Sequence, residues 1–254
     1  KNNRKYPLAD YSLTPTIAIV DPALVESVPD FIAADTGMDV LTHAVEAYTS
    51  TLANDYTDGL ALQAIKLVFE NLESSVKNAD FESREKMHNA STMAGMAFAN
   101  AFLGMSHSMA HKIGGFFHTV HGRTNAILLP YVIRYNGTRP AKAATWPKYN
   151  YYKADVKFQD IAKMLGLPAS TPEEAVDALA KAVYDLGVRV GIDMSIKGQG
   201  VDEKEYMDTV EEIAYLAYED QCSPANPRLP MVADMVEILQ DAYYGYKERP
   251  GRRK

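Results

Sequence analysis

Asp39 and His43 stand four residues apart in the stretch GMDVLTHAVEAY, and no other feature constrains the fold as tightly. In a helix, positions i and i+4 lie one above the other, so a carboxylate and an imidazole share one face. A second stretch, GMSHSMAHKIGGFFHTVHG, carries four of the six histidines, with His107 and His111 again four apart. A cavity built from both stretches requires two helical segments, distant along the chain, to face each other. Imidazoles with a carboxylate suit zinc or ferrous iron better than calcium or magnesium, which prefer all-oxygen shells. Spacing alone leaves His107, His111 and His121 all open as partners of the Asp39/His43 turn. His88 follows Arg84-Glu-Lys-Met and reads as part of a polar helix face, and His118 reads as a helix-end residue.

The rest of the chain bounds the setting. With 254 residues there is apolar material for one large domain or two small ones. A net charge of −7 argues against nucleic-acid or anionic-membrane partners. The single cysteine, Cys222, rules out an internal disulfide and fits a reducing cytoplasmic setting. No apolar run approaches the roughly 18 residues needed to cross a bilayer. The chain opens Lys1-Asn-Asn-Arg-Lys5 rather than with Met, so residues are expected upstream. Asn136-Gly137 reads as a turn.

Thr16-Ile-Ala-Ile-Val-Asp21, flanked by Pro15 and Pro22, reads as a short buried strand completing a sheet whose other strands lie elsewhere. From about Val25 onward the apolar spacing is helical. One long segment opens at Asp55-Tyr-Thr-Asp58. The Ala- and Met-rich segment from Ser83 to Ala101 reads as a tightly packed central helix. The prolines and aromatics of residues 140–155 read as an ordered loop. Helices resume near Val156–Leu165, Pro172–Leu186, Asp202–Leu216 and Pro230–Tyr243, with start signals at Ser170-Thr-Pro-Glu173 and Val201-Asp-Glu-Lys204. Gly198-Gln-Gly200 lacks the context of a phosphate loop and reads as a connection between helices, and the basic tail Lys247–Lys254 as a solvated terminus.

The ordered set GMDVLTHAVEAY, NAFLGMSHSMAHKIGGFFHTVHGRTNAILLPYVIRYN and DQCSPANPR resembles the iron-containing alcohol dehydrogenases. KYPLADYSLTPTIAIVDP and NAFLGMSHSMAHKIG look most like the C-terminal part of the bifunctional aldehyde-alcohol dehydrogenases. The resemblance implies a mainly α fold. Residues 25–254 would form the helical metal-binding domain of the dehydroquinate-synthase-like, iron-containing alcohol dehydrogenase fold. Residues 1–24 would be the strand-bearing end of an α/β nucleotide-binding domain. It further implies Asp39, His43, His107 and His121 as ligands of Fe2+, with Zn2+ as the alternative. His111 falls at a non-ligand active-site histidine, Lys5 at a dinucleotide-contacting lysine, and Phe98 at an aromatic of the substrate pocket. Cys222 lies in a motif near that site, with packing an equal reading.

The function so implied is NADH-dependent reduction of a short aldehyde, acetaldehyde to ethanol, with His111 relaying a proton. An upstream aldehyde dehydrogenase domain and a homo-oligomer or helical filament are the implied partners. A zinc-dependent polyol dehydrogenase is the nearest rival, although such relatives typically employ three protein ligands. A filament-assembly module is the rival of another class, with contacts through Tyr149–Tyr152 and Tyr243–Tyr246.

Overall fold

The computed structural model describes residues 5, 8, 10–140 and 152–247. Among these there are nine α-helices and no strand: α1 (Asp30–Thr49), α2 (Asp55–Lys77), α3 (Phe81–Ala101), α4 (Met105–Phe117), α5 (His121–Gly137), α6 (Ala154–Met164), α7 (Pro172–Arg189), α8 (Glu203–Tyr218) and α9 (Val232–Tyr244). Short 3-10 turns occupy Tyr11–Leu13, Pro22–Val25, Lys197–Gln199 and Ser223–Ala225.

The helix starts follow from local chemistry. Asn54 accepts from the Tyr56 and Thr57 amides at the head of α2, and Thr57 answers in a capping box. Asp80 caps α3, Thr171 caps α7 beside Pro172, and Asp202 caps α8.

Two apolar clusters share the interior. One gathers α1, α2, α3, α6 and α7, and the other gathers α4, α8 and α9. Helix α5 belongs to both, giving Ala126, Leu129 and Ile133 to the first and Ile127, Leu128 and Val132 to the second. Helices α1 and α5 are buried along most of their length, which makes them the central pair. The Ala- and Met-rich α3, expected at the centre, buries only the stripe through Met87, Ala90, Ala94 and Ala97 and leaves Met96 and Asn100 in water. Small side chains there let α2 and α1 approach one face; they do not require cover on both.

The expected N-terminal strand remnant is not formed. Residues 16–21 are irregular, with Ile17 79% and Ile19 86% exposed. A β-branched run has strand propensity but no ladder of its own, and no other strand exists among the described residues to pair with it. Asn136-Gly137 is the last turn of α5, not a separate turn: Asn136 is buried and exchanges side-chain hydrogen bonds with Asn226 of 2.7 and 3.0 Å. His118 ends α4 in the left-handed conformation, as a helix-end residue.

Tyr243 is buried, and Tyr246 stacks on Tyr184 beneath the Arg134 guanidinium. Tyr152 donates to the Asn136 carbonyl. These three rings pack against their own chain, whereas Tyr244 is 52% exposed. Tyr149 to Tyr151, most of the 140–155 loop and tail residues 248–254 lie outside the described residues. No helix among the described residues is long and apolar enough to cross a membrane.

Candidate metal centre

Helix α1 presents Asp35, Asp39, His43 and Glu46 at intervals of four, four and three, so all four fall on one face. Helix α4 places His107 and His111 one turn apart opposite that face, and His121 is the first residue of α5. The crossing of α1 and α5 is close because residue 122 is glycine: a Cβ there would collide with the Asp35 carbonyl and meet Asp39 Cβ at 3.1 Å. Arg123 clamps the same crossing, its Nε and Nη2 donating to the two Asp35 oxygens at 2.8 and 3.0 Å.

The Asp39 carboxylate is the hub of the site. His107 Nε2 lies 3.7 Å and His121 Nε2 3.9 Å from Asp39 Oδ1, and His43 Nδ1 lies 4.0 Å from Oδ2. Donors about 2.1 Å from a tetrahedral ion sit roughly 3.4 Å apart, so each of these imidazole nitrogens lies within a few tenths of an ångström of that spacing from Asp39. His43 and His107 stack at 4.5 Å, and Phe98 covers the other face of His43 at 4.6 Å.

Glu46 is buried beneath this shell. Its Oε2 is 2.6 Å from His107 Nδ1 and takes the Gly104 amide, while Oε1 takes the Ser106 amide at 2.7 Å. That grip assigns a proton to His107 Nδ1 and turns Nε2 toward Asp39. Asn125 donates to Asp39 Oδ1 at 2.8 Å and reaches His121 Nε2 at 3.2 Å.

Burial resists the charge on Asp39, but His107, His43 and His121 around it hold the carboxyl well below its usual range. Burial, reinforced by the charge of His107, pushes His43 down to about 3. His121 falls to about 4 through burial and the nearby His107 and Lys5 charges, against the pull of Asp39. His107 goes the other way: burial opposes its protonation, but Asp39 and Glu46 raise it to about 9. The site thus holds anionic Asp39, two neutral imidazoles and one proton trapped on His107.

The donor set fits a divalent ion of the zinc or ferrous class. Asp39, His43 and His107 converge, the buried His107 Nε2 has no hydrogen-bond partner, and His121 reaches Asp39 but falls outside that trio. Donor atoms of Asp39, His43 and His107 all lie within 4.8 Å of one another.

His111 points elsewhere. Its Nδ1 is 3.2 Å from Asp220 Oδ2, which also binds Lys112 Nζ at 2.6 Å, and its ring stacks on His121 at 5.3 Å. His111, Asp220 and Cys222 form a second compact trio. There, however, burial and the Asp220 charge push the Cys222 thiol up, keeping it a poor metal ligand, and Lys112 already neutralises Asp220. Lys5 is exposed, within electrostatic reach of His121. The sequence reading missed Glu46, Asn125 and Asp220. A buried-looking Glu three residues after His43 was the one signal for the first.

The model of the Fe-containing alcohol dehydrogenase family, C-terminal, matches residues 33–243. Over 253 residues the chain is 81% identical to an aldehyde-alcohol dehydrogenase of Streptococcus pneumoniae serotype 2, covering 100% of this chain but only 29% of that protein. An iron-containing alcohol dehydrogenase from Thermococcus thioreducens superposes with a TM-score of 0.81 at 34% identity, over 93% of this chain and 57% of that one. Sulfoacetaldehyde reductase from Bifidobacterium kashiwanohense, solved in complex with NAD+, gives a TM-score of 0.71 at 30% identity, over 89% of this chain and 54% of that one.

Proposed function

Because the chain belongs to the Fe-containing alcohol dehydrogenase family, we propose that it is the metal-binding part of an enzyme reducing a short aldehyde, acetaldehyde by preference, to the alcohol with NADH. Residues 25–254 act as the helical catalytic domain, and residues 1–24 as the end of a nucleotide-binding domain continued elsewhere in a longer protein. An aldehyde dehydrogenase unit upstream is the natural partner, as the name of the pneumococcal relative suggests. The observation that carries this reading is the convergence of three imidazole nitrogens within 3.7–4.0 Å of one carboxylate.

Asp39, His43, His107 and His121 hold ferrous iron in this proposal, and zinc is the competing ion. A bound ion of this kind supplies Lewis-acid polarisation of a carbonyl, and a nicotinamide supplies hydride. The remaining work belongs to the chain. Glu46 fixes the His107 tautomer, and Asn125 orients both Asp39 and His121. Phe98, stacked on His43, excludes water beside the site and forms an apolar wall for a small substrate. Asp220 holds the Nδ1 proton of His111, which leaves Nε2 to exchange a proton with the nascent alkoxide and with solvent. Lys5, exposed and within electrostatic reach of His121, is the proposed dinucleotide contact and contributes positive charge.

The test is anaerobic preparation of the full-length protein carrying this chain, metal analysis, and NADH oxidation with acetaldehyde set beside the reverse reaction with glycerol. Roughly one iron per chain and a preference for acetaldehyde support the reading. A preference for glycerol with zinc bound would replace it with a polyol dehydrogenase.

A further inference from the structure

The DQCSPANPR segment runs alongside α4 in the opposite direction. Asp220 meets His111 and Lys112, Ser223 Oγ lies 3.0 Å from Ser108 Oγ, and Asn226 Oδ1 accepts the Met105 amide at 3.2 Å. Helix α4 has no capping side chain of its own, so its leading amides depend on neighbours. Glu46 takes the Gly104 and Ser106 amides at 3.1 and 2.7 Å, and Asn226 takes the one between them. Two side chains from distant parts of the sequence thus hold three successive amides. A Cβ on Gly104 would stand 2.7 Å from Asn226 Oδ1 and 2.9 Å from Glu46 Oε1. The missing side chain is what lets both acceptors reach one turn.

Asn226 is buried, and its whole hydrogen-bonding capacity is in use. Besides the Met105 amide, Oδ1 accepts from Asn136 Nδ2 at 3.0 Å; Nδ2 donates to Asn136 Oδ1 at 2.7 Å and to the Arg228 carbonyl at 2.6 Å. An amide so committed cannot turn over, because its N–H groups would then face the Met105 N–H. Asn136 lies on α5, so this one side chain ties the head of α4 to the helix that begins at His121. We propose that Asn226 is a positioning residue for His107: jointly with Glu46 it fixes where α4 starts, and so where the imidazole two residues beyond Met105 meets Asp39. This role rests on the metal-centre reading above and acts through the α4 backbone.

Zinc affinity of the full-length protein carrying this chain, measured by competition with a chromogenic chelator beside thermal denaturation of the same samples, tests this. Asn226→Ala should weaken zinc binding about tenfold, at the low end for a lost outer hydrogen-bond partner. Asn226→Asp keeps an oxygen for the Met105 amide but loses the donors to Asn136 and Arg228. It should lower the melting temperature yet bind zinc within about threefold of wild type, well short of that loss. An asparagine with a structural role alone would lose zinc affinity in step with stability in both variants. Should Asn226→Ala not fold, Asn226→Ser, whose hydroxyl stops one bond short of Oδ1, takes its place with the same expected loss. Wild-type zinc affinity in the folded Ala or Ser variant, or an equal loss in Asn226→Asp, would overturn the proposal and leave the metal reading standing. Wild-type protein that takes up neither zinc nor ferrous iron would overturn both.

Discussion

Glu46 Oε2 lies 2.6 Å from His107 Nδ1, in a contact from which water is almost wholly excluded. The same carboxylate receives the amides of Gly104 and Ser106, so one side chain of α1 both starts α4 and sets the imidazole it carries. Glu46→Gln should keep the fold while lowering metal affinity about 10- to 100-fold, the usual effect of removing an outer hydrogen-bond partner. Glu46→Ala should in addition cost about 1–3 kcal/mol of stability, because two buried amides lose their acceptor. Competition with a chromogenic chelator and thermal denaturation separate the two effects.

Metal uptake should release close to one proton per ion near neutral pH. His43 and His121, held down at about 3 and 4, are already neutral there, whereas His107, raised to about 9, must give up the proton on Nε2. Affinity should therefore rise roughly tenfold per pH unit between pH 7 and 9 and level off above. Titration calorimetry in buffers of different ionisation enthalpy counts the proton directly; zero protons released would mean that His107 is not a ligand.

Asp39→Asn and His107→Ala should each strip the metal and abolish turnover in the full-length protein, since the first loses the hub carboxylate and the second its most enclosed donor. His111→Ala should instead lower kcat by about 10²-fold or more, the range of a lost acid–base group, with metal content nearly unchanged. Asp220→Asn should lie between wild type and His111→Ala in kcat, through a misoriented imidazole. Iron content measured beside activity in the same preparations distinguishes ligand from relay; metal loss in His111→Ala would erase that distinction.

Gly122→Ala should destabilise the protein by about 1–3 kcal/mol, the usual cost of overpacking, because its methyl group would strike the Asp35 carbonyl at the α1–α5 crossing. Metal affinity should fall with it, as His121 retreats from Asp39. Chemical denaturation and metal competition on the same sample report both; an unaltered protein would show that the crossing yields cheaply.

Helices proved legible where local chemistry decides them. The signals at Thr171 and Asp202 mark true starts, and apolar spacing located the later helices within a few residues. Residues 16–21 defeated the same logic, because strand propensity says nothing about whether a partner strand is present. Burial of α3 was overread because Ala and Met allow close packing without saying on how many sides. At the candidate site, i to i+4 spacing brought Asp39 near His43 but left His107 and His111 indistinguishable, since both lie on one face of α4. What separates them is tertiary: Glu46 takes Nδ1 of His107 and Asp220 takes Nδ1 of His111, but of the two it is His107 whose Nε2 reaches Asp39, at 3.7 Å. Neither carboxylate is close in sequence to the histidine it serves.

Helix α5 contributes side chains to both apolar clusters and begins at His121. Neither half of the interior is able to melt while the other persists, because each would take the shared rod with it. Heating should consequently produce a single calorimetric transition, and an ion seated at the head of that rod would raise its midpoint for the whole molecule at once.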